Sequence, residues 1–404
     1  MKKTITFLTA FCISLAAFAQ TDYPNINKVY SEYQELDAKY QEQHYNEKNY
    51  EQSILQLQQM VAFVEDIKLS DEETKEFPQL LNLLKANTYY NLACSYSLVN
   101  RTKEAIDAFE KSVEFGFSEY SHAKTDSDLD NIRKEEKFIA LMDTLKQFDK
   151  LVILQSAGGY KSGNTDSLPK FTYQSAENGN LKWVKEYFKL DSVAGNGNEI
   201  SKITNLLFFV HNAIDYDGSN WALCEFDAID FYNYHKATGK GINCRHMAMT
   251  LNEIYLAMGF KSRYVTCMPK DENDPDCHVI NVVYSETLKK WLWMDPSHGI
   301  YVMDENNNML SISEVRERLI NDKPLKLNEE TSKTKEWYLD YYMAKNLYWM
   351  NCANVSRFNT ESRYRSRDKD LKYVSLIPLG YEEEGWELTT HDPDYFWQIP
   401  ETNE

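Results

Sequence analysis

The chain has 404 residues, 62 of them acidic against 44 basic, for a formal net charge of −18, and 43% of its residues are hydrophobic and 14% aromatic. A surface this acidic argues against nucleic acid and anionic lipid as partners. The length suffices for a proper buried core, and the spacing of the 7 cysteines does not resemble a small disulfide scaffold.

At the amino terminus Met1-Lys-Lys precedes an apolar run from Ile5 to Phe18, and Ala17-Phe-Ala19 before Gln20 has small residues where a signal peptidase cuts. Residues 1–19 therefore read as a signal peptide, and the mature protein as periplasmic or secreted. Cys12 lies inside the apolar run behind Phe11, which speaks against a lipid-anchored terminus. Loss of Lys2 and Lys3 takes the charge from −18 to −20, and no later stretch is apolar and long enough for a membrane span.

Residues 20–148 read as helices carrying Tyr and Leu on repeating faces. Tyr89-x-x-Leu92-Ala93-x-x-Tyr96, then Ala105-x-x-x-Phe109, resembles the tetratricopeptide repeat, with Ala93 at glycine's usual place and Phe117 at proline's. Ser53, Leu57 and Met60 form a fainter copy of Ala105, Phe109 and Ser112 at a shift of 105 − 53 = 52, so the stretch Glu72 to Pro78 reads as an insertion. Asp126 to Arg133 and a helix to Leu145 close the array. Helices of this kind bury their faces only by stacking, and the resemblance implies either a surface for a protein partner or a cap on the region that follows.

Residues 149–180 read as a linker rich in Gly, Ser, Asn and Thr, and residues 181–330 as the unit that follows it. Within it, Glu199 to Ile214 is a helix with Ile200, Ile203, Leu206, Leu207 and Val210 on its buried side. Gly241-Ile-Asn-Cys244-Arg-His then opens an amphipathic helix that Gly259 closes. Asn243 is its N-cap and Cys244 sits in its first turn, where unpaired N–H groups and the helix dipole favour thiolate over thiol. Two strand-like runs follow, His278 to Tyr284 and Lys289 to Asp295, joined by Ser285 to Leu288. A hairpin pairing Tyr284 with Lys289 would set His278 directly opposite Asp295, leaving one imidazole nitrogen free to face a thiol.

A zinc set of Cys244, His246, Cys277 and His278 is disfavoured because residues two apart on a helix, or adjacent in a strand, diverge. Neither metal nor cofactor is expected. Cys267 and Cys277 flank a loop and are placed for a disulfide only where their strands are neighbours. Beyond this unit, Tyr301 to Leu310 reads as strand, turn and strand, and Ser313 begins a helix. Residues 331–404, with Trp337, Trp386 and Trp397 among many aromatics, read as an extension packed on that unit.

Three separated segments together resemble the transglutaminase-like superfamily: Gly-Ile-Asn-Cys-Arg opening a helix that ends in Gly-Phe-Lys-Ser-Arg, then Asp-Cys-His-Val-Ile-Asn, then Lys-Trp-Leu-Trp-Met-Asp-Pro-Ser. The resemblance implies an α+β, papain-like core whose nucleophile helix packs on an antiparallel sheet, preceded here by an all-α, tetratricopeptide-like domain. It also implies Cys244 as nucleophile, His278 as general base and acid, and Asp295 as the group that orients it. His211, Asn212 and Trp221 are chemically able to assist at the oxyanion, beside the backbone N–H of Cys244; Arg245 and His246 are given no role. The implied chemistry is amide-bond cleavage through a thioester. Water would resolve it as in a peptidase or amidase, or an amine as in protein-glutamine acyl transfer, on a peptide, protein or glycopeptide substrate. The alternative is an inactive scaffold that only grips a peptide or protein.

Overall fold

The computed structural model describes residues 23–163, 165, 167–274, 276–362, 371–382 and 388–400; the signal peptide expected at 1–19 and Trp386 lie outside them. The chain divides into two units, Met1–Asp149 and Lys150–Glu404. Among the described residues no helix is long and apolar enough to cross a membrane.

The first unit is all-helical. Its main helices are α1 (Pro24–Gln41), α2 (Tyr50–Asp66), α3 (Leu80–Leu98) and α4 (Thr102–Glu114). Asn49 caps α2 by accepting the N–H of Gln52, and the stretch read as an insertion holds a short helix, Asp71–Glu76, closed by a Ser70/Glu73 capping box. Leu57, Met60, Ala93, Ala105 and Phe109, all positions of the repeat pattern, are fully buried. Several polar groups inside this core are paired. His44 lies 3.2 Å from Ser95 Oγ and 2.9 Å from Asp128 Oδ2, and the Tyr90 hydroxyl donates to Asp126 at 2.7 Å.

The second unit is built on a six-stranded sheet. Its strands are β1 (Ser262–Met268), β2 (His278–Ser285), β3 (Lys290–Met294), β4 (Trp349–Ala353), β5 (Tyr373–Leu376) and β6 (Leu388–Thr390), in spatial order β6-β5-β4-β1-β2-β3. Every pair is antiparallel except β5 with β6. The segment from 331, read as an extension lying on the catalytic unit, supplies the three strands on the far side of β1. The stretch read as a linker also joins in, with Thr172–Tyr173 pairing alongside Val355–Ser356.

Among the helices of this unit are α5 (Gly179–Tyr187), α6 (Glu199–Ala213), α7 (Ala228–Thr238) and α8 (Cys244–Ala257), capped in turn by Asn178, Asn198, Asp227 and Asn243. The residue spacing predicts an amphipathic α8. Instead the helix is buried on every face from His246 to Ala257. Two of its polar residues are tolerated there because they are satisfied: Asn252 Nδ2 donates to Ser356 at 2.9 Å, and Glu253 accepts the N–H groups of Ala228 at 2.9 Å and Asn359 at 2.7 Å.

The β2–β3 hairpin departs from its expected register. Tyr284 pairs with Trp291 and Val282 with Trp293, two residues along from the Tyr284–Lys289 pairing. The turn is Glu286–Lys289, with Lys289 at φ 54°, a conformation no glycine announces in the sequence. Glu199 at the start of α6 fixes it by accepting Ser285 Oγ at 2.6 Å and the N–H groups of Glu286 and Thr287 at 2.9 Å.

Candidate active site

The glycine that opens the Gly-Ile-Asn-Cys segment permits a backbone crossing. A Cβ on Gly241 would come within 2.7 Å of Asp215 O and 2.9 Å of Asp217 N, so only glycine lets the chain pass. There Ile242 N donates to Asp215 O and Asp217 N to Ile242 O, each at 2.9 Å, which bridges Tyr216 to Ile242 just before the cysteine helix. Asn243 then accepts the N–H of His246 at 3.0 Å, and Cys244 begins α8 half-buried.

His278 opens β2, and Asp295 directly follows β3. His278 Nε2 lies 2.8 Å from Asp295 Oδ2, and both side chains are 0% exposed. The register shift did not separate them because a slip of two residues returns every side chain to its original face. The same Oδ2 accepts the Tyr338 hydroxyl at 2.6 Å, while Oδ1 accepts the N–H groups of Ser297 at 2.9 Å and His298 at 3.4 Å. Four donors thus converge on one carboxylate. Burial alone would raise its pKa; the charges of His278 and His298 and the hydrogen bonds bring it well below the ordinary carboxylate range.

With Nε2 turned to Asp295, Nδ1 of His278 points away from the carboxylate, toward the side of the Tyr342 hydroxyl. The Cys244 thiol lies where His278 and the backbone of Val279 both favour its ionised form. Burial pushes this thiol up, but His278, Val279 and Arg245 outweigh it and leave the pKa below its usual value. His278 moves the other way: burial disfavours its charge, and Asp295 together with Cys244 overrides that and raises its pKa. The two shifts favour a thiolate beside an imidazolium.

Other side chains enclose the pair. The Tyr342 hydroxyl stands 3.2 Å from His278 Nδ1, and its ring stacks on Trp337 at 5.3 Å and 8°. The Tyr216 hydroxyl lies in the field of Cys244, and burial and that field raise its pKa. The His298 ring stacks on His278 at 5.5 Å; burial carries its pKa down to about 4, so it is neutral where His278 is charged.

The three residues considered for the oxyanion have different surroundings. His211 Nδ1 is 3.0 Å from Pro296 O, Asn212 is exposed, and Trp221, 52% exposed, sets its edge against His246. His246 is boxed in by Trp221, Phe226 and Phe231. Arg245 brackets α8 to its surroundings, donating to Glu361 at 2.8 Å and to Thr266 at 2.9 Å. The four residues weighed for zinc do not gather; among the described residues, the His, Cys, Asp and Glu whose donor atoms come within 4.8 Å of one another are His278, Asp295 and His298. Cys267 and Cys277 are free thiols, and Cys267 pairs across the ladder with His278.

Sequence reasoning did not find Tyr216, Tyr338, Tyr342 or His298. Tyr216 had a usable signal in Gly241, which marks a close backbone approach. The two tyrosines from the 330s and 340s had none.

Over 68 residues the chain is 37% identical to a chloroplastic protein of Arabidopsis thaliana, a stretch that is 17% of this chain and 19% of that protein. A solved structure from Cytophaga hutchinsonii, described as a “Putative Cysteine Protease”, aligns with a TM-score of 0.23 and 16% identity over 49% of this chain and 61% of that one. The chain therefore spans less than two thirds of either relative. Residues 187–296, the stretch that holds Cys244, His278 and Asp295, match the Transglutaminase-like superfamily, and the second unit carries a transglutaminase-like core.

Proposed function

We propose that the protein is an exported cysteine enzyme acting on amide bonds, with Cys244 as nucleophile, His278 as general base and acid, and Asp295 as the group that orients the imidazole. The observation that carries this reading is one imidazole hydrogen-bonded to a buried carboxylate at 2.8 Å and close enough to a helix-start thiol to lower its pKa. The sulfur attacks the amide carbon, and the oxyanion is met by the backbone N–H of Cys244, which the helix start already directs outward. His278 gives its proton to the departing nitrogen as the C–N bond breaks, leaving a thioester. Water then adds with His278 taking its proton, and the acid is released as the thiolate re-forms; an amine in place of water gives acyl transfer instead. The helical first unit is read as a tetratricopeptide-like surface for a peptide or protein partner, a reading supported by the burial of its pattern residues.

Iodoacetamide labelling tests the central claim. Cys244 should react ahead of the other thiols near neutral pH, and Cys244→Ala should abolish that labelling. Equal reactivity of all cysteines would count against an activated nucleophile. Incubation with peptides, glycopeptides and peptidoglycan fragments then asks which of them loses an amide.

A second reading, an inactive scaffold, draws on one observation: His278 has no exposed surface, and the Tyr342 ring lies against it, backed in turn by Trp337. In that case Cys244 should resist alkylation in the intact protein and become reactive on unfolding.

A further inference from the structure

We propose that Tyr338 is a positioning residue of this site, one whose hydroxyl, itself held by Trp293, fixes the Asp295 carboxylate in the orientation that serves His278. The inference rests on the catalytic reading above and deepens it. Tyr338 lies outside the stretch that matches the superfamily, in a π-helical turn, Glu336–Met343, so the catalytic arrangement of this chain is completed from its C-terminal part.

The geometry is a relay of donors. Trp293 Nε1 donates to the Tyr338 oxygen at 3.3 Å, and the Tyr338 hydroxyl donates to Asp295 Oδ2 at 2.6 Å, the same oxygen that meets His278 Nε2 at 2.8 Å. The indole bond polarises the phenol and makes it a better donor. Tyr338, Trp293 and Asp295 are all 0% exposed, so no water competes for any of these bonds. A carboxylate has about four lone-pair sites. Here Ser297 and His298 fill two on Oδ1, and His278 and Tyr338 fill two on Oδ2. Rotation about the Cβ–Cγ bond would break all four at once, which pins the acceptor in place. Tyr338 also shares the negative charge of Oδ2 with His278, so it limits how tightly the imidazolium holds its proton. That grip matters, because His278 must release the proton to the leaving nitrogen.

Other titratable groups face the pair. They are Cys244 from α8, His298 from the turn after β3, Cys267 from β1, Tyr342 from the π-helical turn, and Tyr216 from the crossing before α7. Replacing Tyr338 by Phe leaves all of these in place, keeps the ring volume and removes one donor.

The test needs no substrate. Alkylation of Cys244 by iodoacetamide, followed against pH in the full-length protein, should show two inflections: a lower one where the thiolate–imidazolium pair forms and an upper one where the imidazolium deprotonates and frees the thiolate. In Tyr338→Phe the upper inflection should move up by roughly one pH unit, because the carboxylate loses a charge-sharing donor in a dry site. Trp293→Phe should move it the same way by less, and serves as the reporter where Tyr338→Phe does not fold. A fall in Tm with both inflections unmoved in the folded variants would mean that Tyr338 only packs, and would overturn the inference while leaving the catalytic reading intact. A wild-type profile without the lower inflection would bring down the catalytic reading, and this inference with it.

Discussion

Replacing Asp295 with Asn isolates what its charge contributes. The amide keeps the shape but offers one accepting oxygen where the carboxylate offers two, so its NH2 must face two of the four donors now bonded to Asp295, either His278 and Tyr338 or Ser297 and His298. A hydrogen bond to a charged group is worth about 1.5–3 kcal/mol, and about 1.36 kcal/mol corresponds to one pKa unit, so the imidazolium should lose its proton roughly 1–2 units earlier than in the wild type. The thiolate loses its cationic partner over the same range, and the low-pH rise in Cys244 alkylation moves upward. Breaking a buried pair should also lower unfolding free energy by about 3–5 kcal/mol. The linkage signs follow from the two shifts. His278, whose folded pKa is raised, adds stability that is full below its unfolded value and fades as pH climbs through the folded one. Asp295, whose folded pKa is depressed, adds stability that is full above its unfolded value and fades as pH falls through the folded one. Urea unfolding across pH should therefore show a plateau in the wild type that slopes away on both sides, and both slopes should flatten in Asp295→Asn. Superimposable alkylation and stability profiles for the two proteins would refute the reasoning.

Further outcomes follow from other parts of the second unit. Cys244→Ala should retain the wild-type circular dichroism and Tm while losing all amide cleavage; residual turnover would move the nucleophile elsewhere. Gly241→Ala should destabilise the fold by about 1–3 kcal/mol through overpacking, seen as a lower Tm, and slow Cys244 alkylation, since the Cβ collides with Asp215 O at 2.7 Å where the chain sets Tyr216; an unchanged Tm would show that the crossing has room. Glu199→Ala frees Ser285 and two turn amides, and after allowance for solvent screening should cost about 1 kcal/mol in urea unfolding at pH 7. That cost should vanish at acid pH, because the Glu199 pKa, which burial raises, is brought below its ordinary value by the bonds from Ser285, Glu286 and Thr287.

The pairing of His278 with Asp295 was legible even though the register that predicted it was not. Which face of a strand a side chain occupies depends only on parity, and the polar pair at the ends of two apolar runs fixes parity without fixing the turn. The turn itself hid behind Lys289, because an ordinary residue at positive φ carries no local signal, and the interaction that holds it comes from Glu199, more than eighty residues earlier in the chain. Cys244 was legible for a similar local reason: Asn243 before it and the apolar spacing after it define a helix start within a few residues.

What stayed hidden shares a different cause. Tyr338 and Tyr342 act four residues apart on a π-helical turn, and they reach the site because the chain returns after residue 331 to add β4, β5 and β6 to the open edge of β1. Aromatic density in that segment pointed to packing, which is how Trp337 and Tyr338 would read on any buried helix. Only the two hydroxyls, 2.6 Å from Asp295 and 3.2 Å from His278, distinguish packing from chemistry, and a hydroxyl's partner is set by tertiary geometry rather than by spacing in the chain. The polar residues of α8 make the same point from the other side. Asn252 and Glu253 mark an outer face by composition, yet α8 is the central helix of its unit, and Ser356, Ala228 and Asn359 arrive from distant segments to satisfy them. The C-terminal segment therefore has two jobs that cannot be separated, closing the sheet and furnishing a donor to the Asp295 carboxylate, so a fragment ending near residue 330 would present Cys244, His278 and Asp295 without the structure that surrounds them.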